Sequence, residues 1–377
     1  MLAQTPPMGF NTWNTFGSQI NDTMIRETAD AMVEKGLKEA GYEYLVIDDC
    51  WSERQRDPVT DKIIPDHVKF PNGMKAVSDY VHSKGLKFGL YSCAGVRTCA
   101  NYPGSFDHEF LDAETFAEYG ADFLKYDYCY APGNEKINGP LLYRRMGMAL
   151  RASGREILFS ACNWGKDDVE QWIRSAGAHM YRSTGDINDS PNSFKEIAKS
   201  QLNKLCYSMP GCYNDMDMLV VGMYGKGNVA AGGCTDDDYL LHFALWCMFN
   251  SPLMIGCDVR TLSGPSLSLL TNKDLIAIDK DPEARPPINF YVGWYGYTLL
   301  FKLLSDGSYA ILAANATDNG QLMTGPFFNL GLDADRYGME LTDLMTGERI
   351  DTFYDYVHMI LPPHKTRIFR GNLVRRK

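Results

Sequence analysis

No uninterrupted apolar run in this chain approaches the ~18 residues of a membrane-crossing helix, so a helical span is not expected. The opening "MLAQTPPMGF" lacks a basic segment followed by a long apolar one, so no signal peptide is expected and a cytoplasmic location is the default. Excess basic charge is missing too: Lys+Arg total 37 against Asp+Glu 47, a net charge of −10, which speaks against nucleic acid or an anionic membrane as partner. The ten cysteines include no CxxC pair and no histidines at zinc spacing, and they read mostly as buried thiols. There is no HExxH. "DINDSPNSFKE" alternates oxygen-bearing side chains as a calcium loop does, but lacks the glycine and glutamate such a loop needs. No metal and no cofactor are expected.

What is present is alternation. Apolar residues at helical spacing from Met24 to Ala40 lead into the strand-like "YEYLVIDDCW", and "MKAVSDYVHSKG" leads into "LKFGLYSCAG". The same pairing continues through "DFLKYDYCY", "EILFSAC", "HMYRSTGDI", "GCYNDMDML" and "PLMIGCDV", with "KDDVEQWIRSAG" expected to be the helix after "EILFSAC". Eight strand–helix units over residues 1–284 predict an α/β fold of the (β/α)8 barrel type, whose usual size is about 250 residues. A doubly wound sheet would need a phosphate-binding glycine turn after the first strand, and "MGFNTWN" is not one. After the proline-rich stretch Asp281–Pro287 the pattern changes to short alternating runs separated by Gly, Asn and Asp turns. Residues 285–377 are therefore expected to form a small C-terminal antiparallel β-sandwich.

The strand ends carry carboxylates: Asp48 and Asp49, Asp127, Asp186, Asp215 and Asp217, Asp258. Helix capping explains some acids, and Asp236 to Asp238 before "YLLHF" are read that way. It fits Asp127 less well, because a Gly/Pro-containing loop follows. Lys125 and Asp127 share a strand face, so the lysine is expected to keep the aspartate ionised; on these residues alone a structural ion pair is the competing reading. Carboxylates gathered with aromatics (Trp13, Trp51, Tyr91, Trp164) and cations (Lys125, Arg182) suit a sugar, whose hydroxyls bind acids and amides and whose C–H faces cover rings. Two carboxyls flanking an anomeric carbon then give glycoside hydrolysis.

The motifs "PPMGFNTWN", "IDDCW" followed by "QRD", "FGLYSCAGVRTCANYPGS", "DFLKYDYCY", "YRSTGDI", "YNDMDML" and the late "DP" resemble, in that order, the retaining α-galactosidases and α-N-acetylgalactosaminidases of glycoside hydrolase family 27. The resemblance spans both expected domains. It implies Asp127 as nucleophile and Asp186 as general acid/base. It further implies Asp48 and Asp49 at the 4- and 6-hydroxyls of galactose, Trp13 as a pocket wall, and Tyr91 and Lys125 as further contacts. Arg182 falls near the 2-position and Asp217 is a pocket acid. Asp186, with no adjacent lysine, is expected to lie in a less cationic place and hold its proton. The implied substrate is an oligosaccharide with a terminal α-galactosyl group.

One departure concerns the loop after strand five. Where the family usually reads "CEWG", with the glutamate on the 2-hydroxyl, this chain has Asn163 before Trp164, so an N-acetyl substituent becomes the alternative. A non-catalytic sugar-binding protein is a third reading, although both catalytic carboxylates are present. An L-arabinopyranose-type substrate would favour a bulkier acid where Asp49 stands. Cys99 and Cys129 match a family disulfide, whereas Cys50 and Cys162 match half-cystines whose partners are absent here.

Overall fold

The computed structural model describes residues 2–133, 138–293 and 296–376; Trp294 and Tyr295, within the first run expected for the sandwich, lie outside them. Among these residues eight parallel strands form one curled sheet: β1 (Met8–Asn11), β2 (Tyr44–Val46), β3 (Lys87–Cys93), β4 (Phe123–Asp127), β5 (Leu158–Cys162), β6 (Met180–Arg182), β7 (Tyr213–Asp215) and β8 (Leu253–Ile255). The hydrogen-bonded order is β7-β6-β5-β4-β3-β2-β1-β8. Between β7 and β8 the ring closes through a single parallel bridge from Leu219 to Ile255, with Leu219 N donating to the Met254 carbonyl at 2.7 Å. The intervening Met216–Met218 segment leaves the ladder, and Asp217 sits there at φ 84.

Alternation along the strands sorts side chains into two layers. On β4, Leu124 and Tyr126 join the large core under the helices, whereas Phe123 joins Tyr44, Val46, Leu158, Met180, Met218 and Met254 inside the barrel. That inner plug closes the barrel below Lys125 and Asp127. The surrounding helices include α1 (Asp22–Glu34), α2 (Gly73–Ser83), α3 (Glu109–Glu118), α4 (Gly139–Ala152), α5 (Pro191–Ser200) and α6 (Asp236–Met248). Thr235 and Asp238 form a capping box on α6, and Asp236 and Asp237 fill its first turn, where acids favour the helix dipole. The segment after β5 is not the expected helix. It forms two 3-10 turns, Lys166–Gln171 and Ile173–Ala176, because Asp167 (φ 59) and Asp168 (φ 49) take left-handed conformations that break an α-helix.

Two more helices, α7 (Gly264–Leu270) and α8 (Lys273–Asp279), end the barrel. The C-terminal strands are β9 (Ile288–Val292), β10 (Tyr297–Leu303), β11 (Tyr309–Asn315), β12 (Gln321–Pro326), β13 (Tyr337–Asp343), β14 (Arg349–Phe353), β15 (Tyr356–Leu361) and β16 (Thr366–Arg375). They make a six-stranded antiparallel sheet, β14-β13-β16-β11-β10-β9, faced by the β12–β15 pair. Leu299, Phe301, Ile311, Met323, Met339 and Phe369 fill the space between the sheets. The other face of the large sheet, with Leu300, Leu312 and Ile368, packs into the barrel core.

Candidate active site

Strand register sets the floor of the site. Partnered residues run across five strands as Cys93, Asp127, Cys162, Arg182 and Asp215, all at the C-terminal ends. Above them opens a pocket of ≈ 590 Å³, counted to its open mouth. Its wall includes Trp13, Asp48, Asp49, Tyr91, Lys125, Asp127, Trp164, Arg182, Asp186 and Asp217. A larger hollow of ≈ 740 Å³ at the opposite end of the barrel, beside Glu156 and His179, gathers no comparable set of carboxylates.

Asp127 is buried, 6% exposed, and both its oxygens are held: Oδ2 by the Tyr91 hydroxyl at 3.0 Å and Oδ1 by the Tyr128 N–H at 2.9 Å. The expected Lys125 partnership is indirect. Lys125 Nζ donates to Asp48 Oδ2 at 2.8 Å, and the same oxygen accepts from Asn11 Nδ2 at 2.7 Å. Burial pushes the Asp127 carboxyl up to about 6, and the field of Lys125, with the two hydrogen bonds, only partly offsets it. Desolvation works against the Lys125 charge, yet the nearby carboxylates hold its ammonium well above the ordinary lysine range. Asp49 accepts from Cys50 N at 2.7 Å and Ala100 N at 2.9 Å, and its carboxyl is raised by burial against these bonds.

Asp186 also departs from expectation. Desolvation favours its neutral form, but Arg182 beside it outweighs this and holds the carboxyl below its usual value. With the side chain 75% exposed, that charge–charge contact at 2.9 Å decides. Arg182 Nη2 additionally binds the carbonyls of Thr184 and Gly185 at 3.1 and 2.9 Å. Its Nη1 pairs with Asp217 Oδ1 at 2.9 Å, while Asp217 Oδ2 accepts from Ile187 N at 2.7 Å. The Asp186 loop is thus clamped from both flanks. Beneath it, buried Asp215 receives the Asp217 N–H at 2.8 Å, and burial raises its carboxyl to about 6.

Three expected residues stand elsewhere. Trp51 is buried against Phe116 and Tyr119 with Nε1 on the Tyr91 carbonyl, outside the pocket wall. Asn163 does not enter the wall either: its side chain is fully buried in its own loop. Asp258 pairs with Arg260 away from the site. Conversely, Asn14, Cys99, Cys162, Ile187, Met218 and Val229 line the pocket. Of these, the sequence singles out Cys99 and Cys162 only as family cysteines, Cys99 for a disulfide and Cys162 as an unpartnered half-cystine, and neither as a pocket residue. Cys99 and Cys129 are disulfide-bonded, bracing the loops after β3 and β4, and the other eight cysteines are free thiols.

The chemistry is that of a pocket offering four buried carboxyls, Asp48, Asp49, Asp127 and Asp217, and one exposed carboxyl, Asp186, to a neutral polyhydroxyl ligand. Comparison with known proteins agrees. A family profile described as alpha galactosidase A matches residues 5–281. An α-galactosidase of Cyamopsis tetragonoloba is 42% identical over 337 residues, covering 88% of this chain and 77% of that protein. The crystal structure of α-galactosidase I from Mortierella vinacea matches with TM-score 0.90 at 30% identity, over 98% of this chain and 97% of that one. The Saccharomyces cerevisiae α-galactosidase, solved with raffinose, matches with TM-score 0.86 at 27% identity, over 99% and 98%. The chain belongs to glycoside hydrolase family 27, the family of the retaining α-galactosidases.

Proposed function

We propose that this enzyme releases terminal α-linked galactose from oligosaccharides or glycoconjugates with net retention, using Asp127 as nucleophile and Asp186 as acid/base. The observation that carries the residue assignment is the contrast between the two carboxyls. Asp127 is sunk in the pocket floor with both oxygens oriented, whereas Asp186 stands exposed at the rim on a loop clamped by Arg182 and Asp217. A galactose seated on the floor puts its anomeric carbon near Asp127 and its leaving oxygen toward Asp186. An Asp127 oxygen bonds to the anomeric carbon as the C–O bond to the leaving group breaks, and the Asp186 proton goes to the departing oxygen. In the second half Asp186 takes a proton from water, whose oxygen attacks the anomeric carbon and frees Asp127. The pair is expected about 5 Å apart for a covalent intermediate. Trp13 and Tyr91 supply ring surface, and Asp48, Asp49 and Lys125 supply hydroxyl partners.

The N-acetylgalactosaminide alternative rests on Asn163, whose amide is bonded within its own loop and does not line the pocket. The test is a panel of aryl α-glycosides with the product anomer followed by NMR. The galactoside should be cleaved well ahead of the N-acetylgalactosaminide, giving α-galactose first. Asp127→Asn should abolish turnover. Ordinary activity in that variant, or β-galactose as first product, would refute the assignment.

A further inference from the structure

Asn163 follows β5 and is fully buried, yet it has work inside its own loop. Its Nδ2 donates to the Lys166 carbonyl at 2.8 Å and its Oδ1 accepts from Gly165 N at 3.2 Å. Its backbone carbonyl accepts from Lys166 N at 3.1 Å. Inside the turn thus closed, Trp164 has φ 57, a left-handed conformation that a bulky side chain rarely adopts, and Gly165 follows at φ 82. A Cβ on Gly165 would lie 2.5 Å from the Ser183 carbonyl, so the turn is seated directly on the loop that carries Asp186. The strained backbone delivers one thing to the site: the Trp164 ring, which lines the pocket with Asp127 and Asp186. The ring meets Tyr128 edge-on at 6.4 Å, and Lys166 Nζ lies 5.1 Å over it.

Exposure orders the pocket. Asp127 and Arg182 are 6% and 4% exposed at the floor, while the Asp186 side chain is 75% exposed at the rim. A leaving group protonated by Asp186 therefore lies toward solvent, where half-buried Trp164 offers a flat apolar surface. We propose that Asn163 is a positioning residue: its side-chain amide closes the 163–166 turn that presents Trp164 as the platform for the leaving-group ring. This rests on the galactoside-hydrolase reading and deepens it by assigning a positioning residue to the leaving-group side of the site, where a ring with an apolar face would lie against Trp164.

The test compares wild type, Asn163→Asp, Trp164→Ala and the double variant on two substrates. One is an α-galactosyl-glucose disaccharide; the other is α-galactosyl fluoride, whose leaving atom carries no ring. Asn163→Asp is nearly isosteric but sets an oxygen against the Lys166 carbonyl. Each single variant should lose about tenfold in kcat/KM on the disaccharide, mainly through KM, and several-fold less on the fluoride. The double variant should be no worse than Trp164→Ala alone, because Asn163 acts through that ring. Equal losses on both substrates, or losses that multiply in the double variant, would overturn the proposal. A wild-type enzyme inert to both substrates would overturn the hydrolase reading itself.

Discussion

Asp127 and Asp186 differ in what surrounds them, and the difference predicts a pH dependence. With Asp127 as the proposed nucleophile and Asp186 as the proposed acid/base, the productive free enzyme has Asp127 ionised and Asp186 protonated. Burial sets Asp127 at about 6, while Arg182 holds Asp186 below the ordinary carboxylate value, so the productive form is a minor one. From the Asp186 value up to about 6, one proton sits on the pair and the productive fraction is constant. Above about 6 both carboxyls ionise, and kcat/KM should fall tenfold per pH unit; the limbs belong to the pair rather than to either residue. A kcat/KM that climbs through pH 7 would contradict this arrangement. If the bound sugar draws Arg182 away from Asp186, the alkaline limb of kcat should lie higher than that of kcat/KM. That both residues reach one pocket was legible because strand ends and short motifs are local. Their protonation was not, because Arg182 reaches Asp186 by folding its guanidinium back under the loop. Trp51 shows the same limit: one position past Cys50, itself at φ 72, its ring turns toward α3.

At the scale of elements, close backbone approach outranks propensity. Gly147 lies inside α4, where alanine would normally favour the helix by up to about 1 kcal/mol. An added Cβ, however, would fall 1.9 Å from the Ala176 carbonyl at the end of the second 3-10 turn. Gly147→Ala is therefore expected to destabilise the enzyme by about 1–3 kcal/mol in urea unfolding. A variant as stable as wild type would mean that the 173–177 turn yields easily. Period-2 alternation had placed Lys125 and Asp127 on one face of β4, and they do share the barrel interior. The irregular β5–β6 connection was not visible, since "KDDVEQWIRSAG" has acceptable helical composition and the left-handed backbone of Asp167 and Asp168 that breaks the helix leaves no mark in it.

At the scale of the whole molecule, the barrel and sandwich share a core, and Lys302 is its polar tie. This fully buried lysine of β10 donates to the Cys247 and Ile278 carbonyls, at 3.2 and 2.9 Å, within α6 and α8. Burial lowers its ammonium to about 8, against the pull of Asp279, whose two buried carboxyl oxygens have no hydrogen-bond partner among the described residues. Lys302→Met should leave those carbonyls unsatisfied and cost about 1–3 kcal/mol. Calorimetry would read it as a lower Tm. An unchanged Tm would mean that the apolar contacts of Leu300, Leu312 and Ile368 suffice.

By itself the sequence determined the eight alternating barrel strands, the change to antiparallel strands after them, the family, and which strand ends bear carboxylates, since these follow from local periodicity and short motifs. Only the tertiary structure decided that Lys125 grips Asp48 rather than Asp127, that Arg182 holds Asp186, and that Asn163 braces a turn instead of facing the pocket. Side-chain direction and proton affinity depend on neighbours brought from distant segments, and no local pattern records them.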